Sequence, residues 1–84
     1  MSYTIIWERP ASHGLERLKT RDGDAVKPLL KAINTLAHDP EPPASSKLGS
    51  TSLRRLRVGV YRATYEIDGS MVSIKILMVG STPL

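Results

Sequence analysis

The chain has no cysteine among its 84 residues. Disulfide frameworks, thiolate zinc clusters and thiol chemistry are excluded together. A domain this small without such staples depends on its apolar core, on a partner, or on both. No apolar run approaches the roughly 18 residues of a membrane-spanning helix. Residues 1–7 are too short for a secretory leader and are ended by Glu8-Arg9-Pro10. The expected location is the cytoplasm. Acidic residues are in deficit, 8 against 12 basic ones, for a net charge of +4. That balance suits an anionic partner without deciding among nucleic acid, an acidic protein and a membrane surface. There are two histidines, His13 and His38. No histidine or acidic pair stands at ligand spacing on a helix, so no metal is expected and no cofactor is implied.

What is present reads as one α+β domain spanning residues 1–84. Tyr3 to Trp7 is short, β-branched and aromatic, and predicts a strand. Pro10 suits a first helical turn, and Ala11, Leu15 and Leu18 recur at helical spacing up to about Thr20. Asp22-Gly23-Asp24 predicts a turn, with Asp24 as N-cap of a second helix. Val26, Leu29, Leu30, Ile33, Leu36 and Ala37 form the apolar stripe of that helix, which His38-Asp39-Pro40 ends. Residues 41–46, with Pro42 and Pro43, predict a loop. Strands follow at 53–58, 60–67 and 71–79, the last two joined at Asp68-Gly69. The expected order is β-α-α-β-β-β: an antiparallel sheet carrying a helical hairpin on one face, with the first strand joining by a crossover.

Leu53 to Arg62 carries the chemistry. Arg54, Arg55, Arg57 and Arg62 place four of the twelve basic residues within nine positions. Successive strand residues face opposite ways, so Arg55 and Arg57 project together while Leu56 and Val58 face the other side. Arginine stands at every one of these positions, and its planar fork pairs bidentately with phosphate. A solvated charged face would also use basic residues, but like charges on neighbouring strands repel unless an anion is expected there. Guanidinium stays protonated, so these groups hold a phosphodiester and stabilise developing charge; proton transfer needs another group. Tyr61 and Tyr65 share the face opposite Arg62 and are expected in the core, with Tyr3 and Trp7 in the core or at its rim. Lys75 is read as a solvated edge residue in preference to an added phosphate contact.

Several motifs together resemble the RelE/ParE superfamily of bacterial type II toxin–antitoxin toxins. They are Ile6-Trp7-Glu8-Arg9-Pro10-Ala11, Leu15 to Leu18, His38-Asp39-Pro40, Lys47-Leu48-Gly49, Leu53 to Tyr65 with Glu66-Ile67-Asp68, and Val79-Gly80. The resemblance implies a RelE-like fold and a toxin neutralised by a cognate acidic antitoxin. RelE-like members enter the ribosomal A site and cut mRNA by attack of the ribose 2′-OH on the adjacent phosphate. Carried over by position, Arg55, Arg57 and Arg62 are the catalytic set. Arg54 and Lys47 are expected as added RNA contacts. Two departures stand out. Leu53 occupies a position where the family has a lysine. Ser81-Thr82-Pro83-Leu84 lacks the family's basic groups and terminal tyrosine or histidine.

The resemblance therefore implies a ribosome-dependent mRNA endoribonuclease, impaired if those departures matter. ParE-like members share the fold and instead poison DNA gyrase, which makes that the alternative. A relic that only binds antitoxin is the third reading. No membrane partner is implied.

Overall fold

Residues 2–82 are described by a computed structural model of the chain. β1 (Thr4–Trp7) leads directly into α1 (Arg9–Asp22), where Pro10 occupies the first turn at no hydrogen-bond cost. A 3-10 turn over Gly23–Val26 and then α2 (Lys27–Thr35) complete the helical layer. The expected Asp24 cap is not formed. The residue before α2 is Val26, and no side chain caps either helix. Gly23 at φ 59 turns the chain while its N–H closes on the Lys19 carbonyl, so α1 runs past Thr20 to Asp22.

The sheet has five strands in the order β1-β5-β4-β3-β2. β3 (Leu53–Val58), β4 (Tyr61–Asp68) and β5 (Ser73–Ser81) form the expected antiparallel meander. β1 lies parallel to β5, from Thr4 opposite Ser73 to Trp7 opposite Ile76. The sheet is thus mixed, because a crossover through the helical layer returns β1 to the same direction as β5. It also has a strand not foreseen: β2 (Ser45–Lys47) pairs antiparallel with β3 from within the stretch read as loop and polar approach. Serine and proline obscured it in the sequence, since an edge strand of three residues needs only backbone pairing.

The core lies between one sheet face and the helices. Ala11, Leu15 and Leu18 of α1 and Leu29 and Ile33 of α2 meet Leu56, Tyr61, Ala63, Tyr65, Ile74, Ile76 and Val79, all buried. α1 lies chiefly on β5, while α2 reaches β3 and β4. Gly14 permits the close approach: a Cβ there would stand 2.7 Å from the Val79 carbonyl oxygen. Tyr65, fully buried, donates its hydroxyl to the Pro40 carbonyl at 2.6 Å and ties the end of the helical layer to the sheet.

Strand alternation predicts that Val72, Ile74, Ile76 and Met78 share one face of the last strand, and β5 departs from it. Val72 lies before the strand at φ 47, and the face shared by Ile74 and Ile76 does not continue to Met78. Thr64 pairs with Met78 but Tyr65 pairs with Ile76, so Leu77 is an extra residue in β5. This bulge inverts the pleat. Met78 turns outward, 61% exposed, and Val79 turns into the core.

Candidate nucleic-acid interface

The bare sheet face is set by a two-residue turn. Gly59, at φ 61, opens the Gly59-Val60 connection between β3 and β4. Glycine at the first central position suits the tight hairpin turns that match strand twist. The turn puts Val58 opposite Tyr61 and Arg57 directly opposite Arg62, and then Arg55 opposite Thr64. Because Leu56, Ala63 and Tyr61 face the helices, Arg55, Arg57 and Arg62 all face away from them. These three expected residues are brought together.

Their electrostatics are uncompensated. None of the three meets a carboxylate within ion-pair distance among the described residues. Arg57 and Arg62 are exposed, while Arg55 is half-buried. The Arg55 Nε is enclosed and has no hydrogen-bond partner, which leaves a buried donor at a cost an anion would relieve. Arg55 and Arg62 line a groove of about 190 Å³ together with Thr64, Met78, Val79 and Gly80. Three of those neighbours come from β5: Val79 and Gly80, noted in the sequence only as a motif, and Met78, which was not assigned to this face. The bulge at Leu77 brings Met78 to this face, and no local pattern announces it.

Arg54 and Lys47 are placed elsewhere. They face each other across β2 and β3, on the face that Arg54 shares with Leu56 and Val58. Arg54 donates from Nε and Nη2 to the Ser45 hydroxyl at 3.1 and 2.9 Å, and its Nη1 lies 3.9 Å from Glu41. Its side chain is 16% exposed. Arg54 and Lys47 line a separate depression of about 230 Å³ with Glu41, Thr51, Ser52 and Ile67. The structure therefore separates these two from the three outward arginines. Arg54 is a half-buried tie between β2, β3 and the preceding loop.

Lys75 lies on the outward face of β5, between Ile6 of β1 and Glu66 of β4, inside the sheet and not at its edge. Leu53, opposite Glu66, is also on this face. His38 is exposed in the turn after α2. His13 is exposed on α1 and lines a groove with Arg9, Pro10, Arg17, Met78 and Val79, the last two of which also line the arginine groove. Pro83 and Leu84, half of the tail that departs from the family pattern, lie outside the described residues.

A second polar cluster closes the same end of the molecule. Tyr61 donates its hydroxyl to Asp22 at 2.6 Å, and Arg21 grips the same carboxylate through Nε and Nη2 at 2.8 and 2.9 Å. The Arg21 guanidinium, with help from the Tyr61 hydroxyl, holds the Asp22 carboxyl down to about 2. The same contact pushes the Tyr61 hydroxyl up and strengthens the protonated form of Arg21. Arg21 also donates to the Ser81 hydroxyl at 2.9 Å. The cluster joins α1, β4 and β5.

Among the described residues, no three histidine, aspartate or glutamate side chains gather as a metal ion would need. No helix of the described residues is long and apolar enough to cross a membrane.

A family model described as the ParE toxin of type II toxin–antitoxin systems matches residues 5–82. Comparison with curated protein sequences finds no match. Among solved structures, the RelBE2 toxin–antitoxin complex of Mycobacterium tuberculosis contains a chain 25% identical to this one. The match has a TM-score of 0.74 and covers 96% of this chain and 99% of that one. A RelE–RelB complex from Pyrococcus horikoshii is similar at 25% identity and TM-score 0.76, covering 96% of each chain. The isolated RelE toxin of E. coli shares the fold at 16% identity and TM-score 0.79, over 99% of this chain and 87% of that one.

Proposed function

The chain belongs to the ParE toxin family of type II toxin–antitoxin systems; from that family's fold and the arginine face it carries here, we propose that it is a ribosome-dependent mRNA endoribonuclease held in check by an antitoxin. One observation carries the reading. Arg55, Arg57 and Arg62 stand together on the bare sheet face and, among the described residues, have no acidic partner, and the enclosed Arg55 Nε has no acceptor. A stable domain places like charges opposite one another only at a cost, which a bound phosphodiester offsets.

In the proposed reaction the ribose 2′-oxygen attacks the adjacent phosphorus. The bond from phosphorus to the 5′-oxygen breaks, leaving a 2′,3′-cyclic phosphate and a 5′-hydroxyl. Arg57 and Arg62 grip the non-bridging oxygens, whose charge grows in the transition state, and Arg55 fixes the phosphate from the groove floor. Proton transfer falls to solvent or to groups of the ribosomal A site, since guanidinium does not release its proton at neutral pH. The reading is supported by the arginine geometry and by the likeness to chains from the mycobacterial and archaeal toxin–antitoxin complexes. An acidic antitoxin segment is the proposed neutralising partner, and its binding weakens with added salt where charge pairing contributes.

The test is inducible expression followed by mapping of mRNA 5′ ends. Wild type yields new ends within translated codons, and Arg62→Ala yields none while remaining folded. An Arg62→Ala variant as toxic as wild type overturns the assignment. The match to a ParE family model favours a second reading, inhibition of DNA gyrase. Purified protein that blocks supercoiling while leaving translation intact establishes that reading in place of the first.

A further inference from the structure

The arginine face does not end at β5. β1 pairs with β5 only as far as Ile76, so Met78 to Ser81 have no strand on that side among the described residues. α1 runs beside this stretch, with Gly14 against the Val79 carbonyl. Along its flank stand Arg9, His13, Arg17 and Arg21, four residues apart each time. That spacing stacks side chains along one line of a helix, about 6 Å from one to the next.

Two further grooves lie between this row and β5. One, of about 470 Å³, is lined by Arg9, His13, Arg17, Met78 and Val79. The other, of about 350 Å³, is lined by Gly14, Arg17, Arg21, Val79, Gly80 and Ser81. Met78, Val79 and Gly80 also line the groove holding Arg55 and Arg62. The three depressions therefore meet over the same strand segment, and among the described residues no carboxylate lines them. Arg21 is occupied by Asp22 and Ser81, whereas Arg9 and Arg17 are exposed and form no ion pair among the described residues.

We infer that Arg9 and Arg17 form a second phosphate-binding row, along which single-stranded RNA continues after crossing the bulge-exposed Met78. The inference rests on the endoribonuclease reading above and extends it from one phosphodiester to the path of the flanking strand. RNA is favoured over an acidic peptide because the row is continuous with the arginine groove and repeats at regular spacing. Gly80, opposite Arg62, leaves the passage between the two rows open, since a Cβ there would meet nothing within 4 Å. Met78 offers an apolar surface at the crossing for an unstacked base.

The test uses the full chain and fluorescein-labelled oligouridylates of about 4 and about 16 nucleotides, followed by anisotropy over a salt series. For the long strand, the Arg9→Gln/Arg17→Gln variant is expected to lower the slope of log affinity against log salt by about 1.4. That is two contacts at about 0.7 each for single strands. The short strand is expected to bind wild type and variant alike. Circular dichroism confirms that the variant is folded. An unchanged slope for the long strand overturns the inference while leaving the arginine site intact. Failure of both strands to bind wild type overturns the inference, whereas the endoribonuclease reading is decided separately by the mapping of mRNA 5′ ends in cells. A variant that keeps its RNA slope but loses antitoxin affinity assigns the row to protein docking, which also overturns it.

Discussion

Neutralising Arg62 while keeping its stem should raise the stability of the fold and remove its activity. Arg57 and Arg62 are directly opposed on neighbouring strands and both are exposed. Like charges in that geometry destabilise by about 0.2–1 kcal/mol. Arg62→Gln removes the repulsion without opening a cavity, since the face above it is solvent. The expected gain is about 0.5 kcal/mol, which for a domain of this size raises Tm by about 2–4 °C. Salt screens exposed charges over a Debye length of about 10 Å at 0.1 M and about 3 Å at 1 M, so the gain should shrink in strong salt. Loss of one charge that stabilises the transition state should lower cleavage by about 100- to 1000-fold. Paired thermal melts in low and high salt, with growth arrest on induction, read out both halves. A variant destabilised by more than about 1 kcal/mol, on a scale where ordinary surface changes stay within about 0.5, would show that Arg62 supports the fold and would refute the argument.

Three further outcomes follow from the packing. Gly14→Ala gains up to about 1 kcal/mol in helix propensity. It also sets a Cβ 2.7 Å from a backbone oxygen of β5, and overpacking of that kind costs about 1–3 kcal/mol. Urea denaturation should show a net loss, and a gain would mean that α1 can draw back from Val79. Tyr65→Phe leaves the Pro40 carbonyl without its donor and should cost about 1–3 kcal/mol with little effect on secondary structure. Near wild-type stability would refute that role for the hydroxyl. The Asp22 carboxyl titrates near 2 in the fold instead of its ordinary 3.8. Its stabilising contribution is therefore present above about pH 4 and is lost as pH falls through about 2. Asp22→Asn should be less stable than wild type at neutral pH, and the difference should narrow across that window. A constant difference from pH 6 to pH 2 would rule out the charged contact as the cause.

Much of the site was legible before the fold, because strand alternation is a local property. Arg55 and Arg57 share a face as soon as Leu56 is assigned to the core, and Arg62 follows from the opposite placement of Tyr61. Even the direct Arg57–Arg62 opposition had a signal in Gly59-Val60, a turn too short to allow other registers. Arg54 was harder. Its inward direction follows from the same alternation, yet only the pairing of β2 supplies the Ser45 hydroxyl that makes an inward guanidinium tolerable.

Local chemistry alone determined that a small basic α+β domain forms here, with an apolar sheet face, two amphipathic helices and a paired-arginine front. Those properties depend on residue spacing of two or about four, which the chain carries whatever surrounds it. The tertiary structure alone decided the parallel seat of β1, the existence of β2, and the bulge that turns Met78 outward. It also decided that the depressions lined by Arg9 and Arg17 share β5 residues with the groove of Arg55 and Arg62. Each of those joins segments far apart in the chain through backbone pairing or close packing, and neither leaves a mark in the local order of residues.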